Sequence, residues 1–152
     1  MSITLLIQDA KWRKARGLNT RLKRAASLAL KRGGGAAESS LTTLLTDDKH
    51  LHALNLSFRG KDRPTNVLSF PAATGAERYL GDVAIAYGVT AREAKVAGKN
   101  IADHATHLAV HGVLHLLGFD HGTVQQAKIM EPLETTILNA LNIADPHRRR
   151  VA

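Results

Sequence analysis

The sequence predicts an α+β fold, a single domain in which a small mixed β-sheet is covered by helices. Short runs rich in Leu, Ile, Val and Thr occur at four places, each of strand length. Other stretches place apolar residues three and four apart, the period of a half-buried helix. The order of these segments, β-α-β-α-β-β-α-α-α, is that of a mixed sheet with helices packed on it. A chain of 152 residues, 44% hydrophobic and 22% charged, is long enough to bury one real core. One domain spanning residues 1–152 is expected.

Residues 3–7 read as the first strand. A helix follows from Thr20 to Arg32, with Leu22, Ala25, Ala26, Ala29 and Leu30 inward and Arg21, Arg24, Lys31 and Arg32 outward. Gly33-Gly34-Gly35 ends it, since glycine tolerates the positive φ of a helix exit. Leu41 to Thr46 suits a strand, and Asp47 suits the N-cap of a helix through Phe58. Residues 59–66 form a polar loop before the strand Val67 to Phe70, which Pro71 closes. Leu80 to Ala86 is the fourth strand. Thr90 is expected to cap a helix that weakens at Gly98-Lys99-Asn100. Helices from Ile101 to Leu117, stopped by Gly118, and from Thr123 to Leu141 complete the domain.

No apolar run approaches the roughly 20 residues of a membrane helix. The opening apolar run is too short for a signal-peptide core, and a cytoplasmic protein is expected. With no cysteine, a disulfide framework is excluded. The formal charge of +8 is more informative. Lys11, Arg13, Lys14, Arg16, Arg21, Lys23, Arg24, Lys31 and Arg32 occur without an acidic residue between Ala10 and Ala37. Such a surface attracts polyanions, nucleic acid above all, and Arg21, Arg24 and Lys31 are the candidate nucleic-acid contacts. A solvated helix face is the bland alternative. Arg148-Arg149-Arg150 reads as an incidental basic tail.

The decisive segment runs from His111 to His121. His111 and His115, four apart on a helix, present their imidazoles on one face, a turn apart. Gly118 lets the chain turn back and bring His121 to the same point. Three protein ligands with a fourth position left for water are the mark of a catalytic zinc. One zinc per chain is expected. His104 and His107 lie upstream on the same helix and suit surface or supporting roles, while His50, His52 and His147 show no partner spacing. The metzincin protease pattern shares the three histidines and the glycine, but Gly112 stands where its general-base glutamate belongs. A conventional metalloprotease is thereby disfavoured. Gly112 itself suits close packing of the helix on the sheet, with room for substrate as the competing explanation.

The run His111-Gly112-Val113-Leu114-His115-Leu116-Leu117-Gly118-Phe119-Asp120-His121 resembles the signature of the YbeY family, bacterial metal-dependent endoribonucleases of ribosomal RNA maturation. Phe58 to Pro71 looks like that family's second signature, Leu80 to Ile85 its strand motif, and Met130 to Leu138 its closing helix. Asn66 stands where many relatives have Asp, and Phe119 where many have Tyr. The resemblance implies a zinc endoribonuclease for single-stranded RNA, acting near the 3′ end of small-subunit ribosomal RNA and in ribosome quality control. It implies ribosomal RNA and the small ribosomal subunit as partners. Arg59 resembles the family's functional arginine, whose guanidinium grips phosphate, with a salt bridge to Asp62 as the alternative. Asp120 suits a carboxylate orienting a ligand ring, or a cap on the turn after the helix. Other classes remain: a metallohydrolase of another substrate, including a divergent peptidase, or a non-catalytic ribosome assembly factor with a structural metal.

Overall fold

The computed structural model describes residues 1–73 and 78–144. Its elements follow the expected order: β1 (Ser2–Ile7), α1 (Leu18–Arg32), β2 (Ser40–Thr46), α2 (Asp48–Arg59), β3 (Val67–Pro71), β4 (Tyr79–Ala86), α3 (Tyr87–Ala97), α4 (Ile101–Leu116) and α5 (Val124–Ala140). The strands lie in the order β1-β2-β4-β3. The first three are parallel, and β3 runs antiparallel to β4 at the edge, with Phe70 opposite Asp82.

Alternation along the strands builds two layers of unequal depth. Leu41 and Leu45 of β2 and Val83 and Ile85 of β4 point to the side covered by α1, α4 and α5. Ala84 and Ala86 point the other way, where Leu51 of α2 meets Leu68 of β3. Helix α4 is the centre of the thicker layer. Its Ala105, Leu108, Ala109, Val110, Val113 and Leu114 are all buried, and each large side chain among them contributes roughly 1.5–3 kcal/mol. Because α4 is wedged between α1, α3, α5 and the sheet, the histidines at its C-terminal end are fixed on a rigid support.

The helix ends are capped largely as the sequence indicates. Asp47 accepts from the His50 N–H at 2.7 Å, and Thr123 with Gln126 closes a capping box on α5. Thr90 is the exception. It does not cap α3, which begins directly from β4 and leaves Thr90 fully buried inside it. The capping acceptor comes from another helix: Asp48 of α2 accepts from the Val89 N–H at 2.9 Å.

Residue patterning gives no sign of a 3₁₀ turn at Ala10–Lys14, which the structure contains. It buries Trp12, whose indole N–H donates to the Thr46 carbonyl at 2.9 Å and whose ring stands edge-on to Tyr87. The flanking lysines and arginines conceal this anchor from a reading by composition. Among the described residues no helix is long and apolar enough to cross a membrane.

Candidate metal centre

Helix α4 ends at Leu116, and Gly118 with φ of 99° turns the chain sharply enough to return His121 over the helix face. The three rings come together: centroids lie 4.5 Å apart for His111 and His115, and 5.1 Å from each to His121. One ligand atom from each lies within 4.8 Å of the others.

Hydrogen bonds decide what those atoms are. Nδ1 of His115 lies 2.9 Å from the Phe119 carbonyl, which only accepts, so Nδ1 carries the proton. Nδ1 of His111 lies 2.8 Å from a carboxylate oxygen of Glu134 and donates to it likewise. Both Nε2 atoms are then bare lone pairs, and they face each other at 3.0 Å. Two acceptors at that distance repel unless a cation stands beside them. Protonation is a poor remedy at His115, whose pKa is lowered by burial first and by the charge of His111 second. The donor set therefore fits a transition-metal ion bound by three neutral imidazoles.

Glu134, within the Met130 to Leu138 run that resembles the family's closing helix but given no role from the sequence, holds this arrangement. It is 1% exposed, on the inner face of α5 beside Met130, Ile137 and Leu138. Its second oxygen takes a hydrogen bond from His107 Nε2 at 2.6 Å. Burial alone would raise the Glu134 pKa, but the hydrogen bonds from His107 and His111 outweigh it and hold the carboxyl well below its usual range. A signal does exist in the chain: a glutamate at a core position of an amphipathic helix needs a partner. His107, Glu134 and His111 also converge closely enough to hold an ion. Their facing atoms are complementary donors and acceptors, so that cluster is satisfied by hydrogen bonds. His104 plays a similar supporting part, with its Nε2 2.9 Å from Glu93.

The metal centre lies in a cleft of about 520 Å³ bounded by Arg59, Asn66 and Ser69 as well as the three histidines. Arg59 forms the last residue of α2 instead of opening the following loop. It makes no ion pair among the described residues, because Asp62 pairs with His52 at 2.6 Å. Asp120 accepts from the backbone N–H of His121 at 2.7 Å. That bond is the main reason its pKa is lowered, and it identifies Asp120 as the cap of the turn. Gly112 packs as the sequence suggests. A Cβ there would lie 2.5 Å from Val83 Cγ1, and its carbonyl accepts from the Ser69 hydroxyl at 2.9 Å.

The basic candidates divide. Arg24 and Lys31 are exposed on α1, whereas Arg21 turns toward α4 and pairs with Asp103. It is therefore not freely available to a polyanion, because the acidic first turn of α4 lies within its reach. His147 and Arg148 to Arg150 lie outside the described residues.

The family model described as endoribonuclease YbeY matches residues 6–142. A protein of Chelativorans named endoribonuclease YbeY is 45% identical over 151 residues, covering 96% of this chain and 93% of that protein. Two proteins of the same name from Rhodopseudomonas palustris strains are 56% and 50% identical, covering 74% and 72% of this chain. In both, the match spans 62% of the relative's own length. The solution structure of TM1509 from Thermotoga maritima shares the fold, with a TM-score of 0.60 and 22% identity over 97% of this chain and 99% of that one.

Proposed function

Because this chain belongs to the endoribonuclease YbeY family, we propose that it is a metal-dependent endoribonuclease of single-stranded RNA. Its substrate is ribosomal RNA near the 3′ end of the small-subunit RNA, met on the small ribosomal subunit in the cytoplasm, with a part in ribosome quality control. Residues 1–152 act as one metallohydrolase domain.

The observation that carries the reading is the pair of bare Nε2 atoms 3.0 Å apart, with His121 beside them, in a cleft rimmed by Arg59, which makes no ion pair among the described residues. His111, His115 and His121 would hold zinc. When bound, the ion supplies a Lewis acid that polarises a phosphoryl oxygen and eases ionisation of water. Arg59 binds the substrate phosphate through two parallel hydrogen bonds and neutralises its charge. Glu134 keeps the proton of His111 on Nδ1, and the Phe119 carbonyl does the same for His115, so both rings remain neutral donors of lone pairs. Asp120 holds the turn that delivers His121.

A peptidase reading finds little support. Position 112, beside the first ligand, is a glycine packed against Val83, and Glu134 is directed at His111 and His107. The test is cleavage of a defined single-stranded RNA by highly purified protein, with His111→Ala/His115→Ala prepared in parallel. Loss of cleavage in the double variant is expected. Equal cleavage by both preparations would expose a contaminating nuclease and remove the reading.

A further inference from the structure

Phe58 and Arg59 are consecutive at the end of α2, yet they serve different surfaces. Arg59 lines the metal cleft. Phe58 lines a second cavity of about 220 Å³, with Leu44, His50, Leu54, Phe70 and Asp82. Edge strand β3 is the wall between the two. Its Ser69 reaches Gly112 of α4 on the metal side, while the next residue, Phe70, meets the Phe58 ring on the α2 side.

Phe58 is 69% exposed, an unfavourable position for a phenyl ring that no described neighbour covers. Its edge-to-face contact with Phe70, at a centroid distance of 5.3 Å, holds the ring in place and leaves much of it open. Cations border it. Arg59, Lys61 and Arg63 are exposed within five residues, and the intervening Asp62 is paired with His52. An exposed aromatic ring followed in the chain by exposed cations that pair with no acidic group among the described residues, one residue from a phosphate-binding arginine, matches the alternation of base and phosphate along a single strand. The bordering charge favours this occupant over an apolar protein surface.

We propose that Phe58, backed by Phe70, is a stacking subsite for a nucleobase of the RNA strand lying across the β3 rim from the metal cleft. This rests on the endoribonuclease reading and adds a positioning residue to it. Every base offers a π-face, so the subsite grips the strand without selecting its sequence. It would also exclude duplex, whose bases are not free to splay onto a side chain.

The test uses the metal-loaded protein and an RNA with a mapped cleavage site, in which each nucleotide near that site is replaced in turn by an abasic one. For the parent, KM should rise about tenfold when one particular position is made abasic, the scale expected for loss of one base stack. Phe58→Ala should raise KM to a similar degree on intact RNA and erase the penalty at that one position, with kcat changed much less. Phe58→Trp should restore the parent pattern. Equal metal content and melting temperature in the variants exclude a folding defect. A penalty profile identical in the parent and Phe58→Ala would overturn the subsite while leaving the nuclease assignment intact. Unchanged RNA kinetics with weakened association to small ribosomal subunits would overturn it in favour of a protein-docking surface. If the parent itself cuts no RNA, the subsite and the nuclease reading fall together.

Discussion

At the scale of single residues, the site is set by where protons reside. His111 and His115 have their Nδ1 protons engaged by Glu134 and the Phe119 carbonyl, and their lone pairs converge on one point. Replacing both histidines with alanine should therefore abolish binding of about one transition metal per chain, as read by elemental analysis of untagged protein; unchanged metal content would refute the assignment. Glu134→Gln keeps the size of the side chain but removes its charge and one acceptor, so metal affinity should fall roughly 10- to 100-fold in a chelator competition. An unaltered affinity would mean that Glu134 only packs. Arg59→Ala should lower RNA cleavage far more than metal content, and Arg59→Lys should recover only part, because an ammonium lacks the planar fork. Full activity in both would exclude a phosphate contact. The three histidines and Arg59 are legible in the sequence because their spacing and motif are local in the chain. Glu134 is not, since its partners lie 23 and 27 residues away and only the packing of α5 on α4 joins them.

At the scale of elements, α4 is legible almost in full, because apolar residues surround the helix except on the face that carries the histidines. The Asn100 cap and the Gly118 exit bound it within a residue of expectation. Thr90 misleads because a threonine before an apolar-periodic stretch is a normal capping signal, whereas the real acceptor, Asp48, belongs to another helix. Such a cap in trans leaves no local trace. The closeness of α4 to the sheet is itself testable. Gly112→Ala gains about 1 kcal/mol of helix propensity, but its Cβ would sit 2.5 Å from a methyl of fully buried Val83. Overpacking typically costs about 1–3 kcal/mol, so the variant should melt at a lower temperature despite the better helix former. Adding Val83→Ala should relieve the clash, and a double-mutant cycle should show coupling between the two positions. Strict additivity would mean that the helix moves aside freely.

At the scale of the whole molecule, sheet order separates two surfaces that RNA could use. The metal cleft opens at the β3 edge, while α1 packs over β1 at the opposite edge, about 14 Å away by three strand spacings. A strand of a few nucleotides can bridge that span, so the basic helix should tether RNA without touching the reacting bond. The tether consists of Lys23, Arg24 and Lys31, which are exposed on α1. Arg21 does not belong to it, since its pairing with Asp103 joins α1 to α4 and its removal would disturb packing as well as charge. Neutralising Lys23, Arg24 and Lys31 together to glutamine should weaken binding of a long single-stranded RNA, and most strongly at low salt. The slope of log affinity against log salt should become shallower by up to about 0.7 for each phosphate that the helix no longer neutralises. Cleavage at saturating RNA and metal content should stay near parental values, because the substituted side chains are exposed on α1 and none of them lines the metal cleft. Fluorescence anisotropy over a salt series, paired with saturated cleavage rates, reads both quantities. Parallel salt plots for parent and triple variant would reduce this face to a solvating surface and leave RNA affinity to the cleft and its rim.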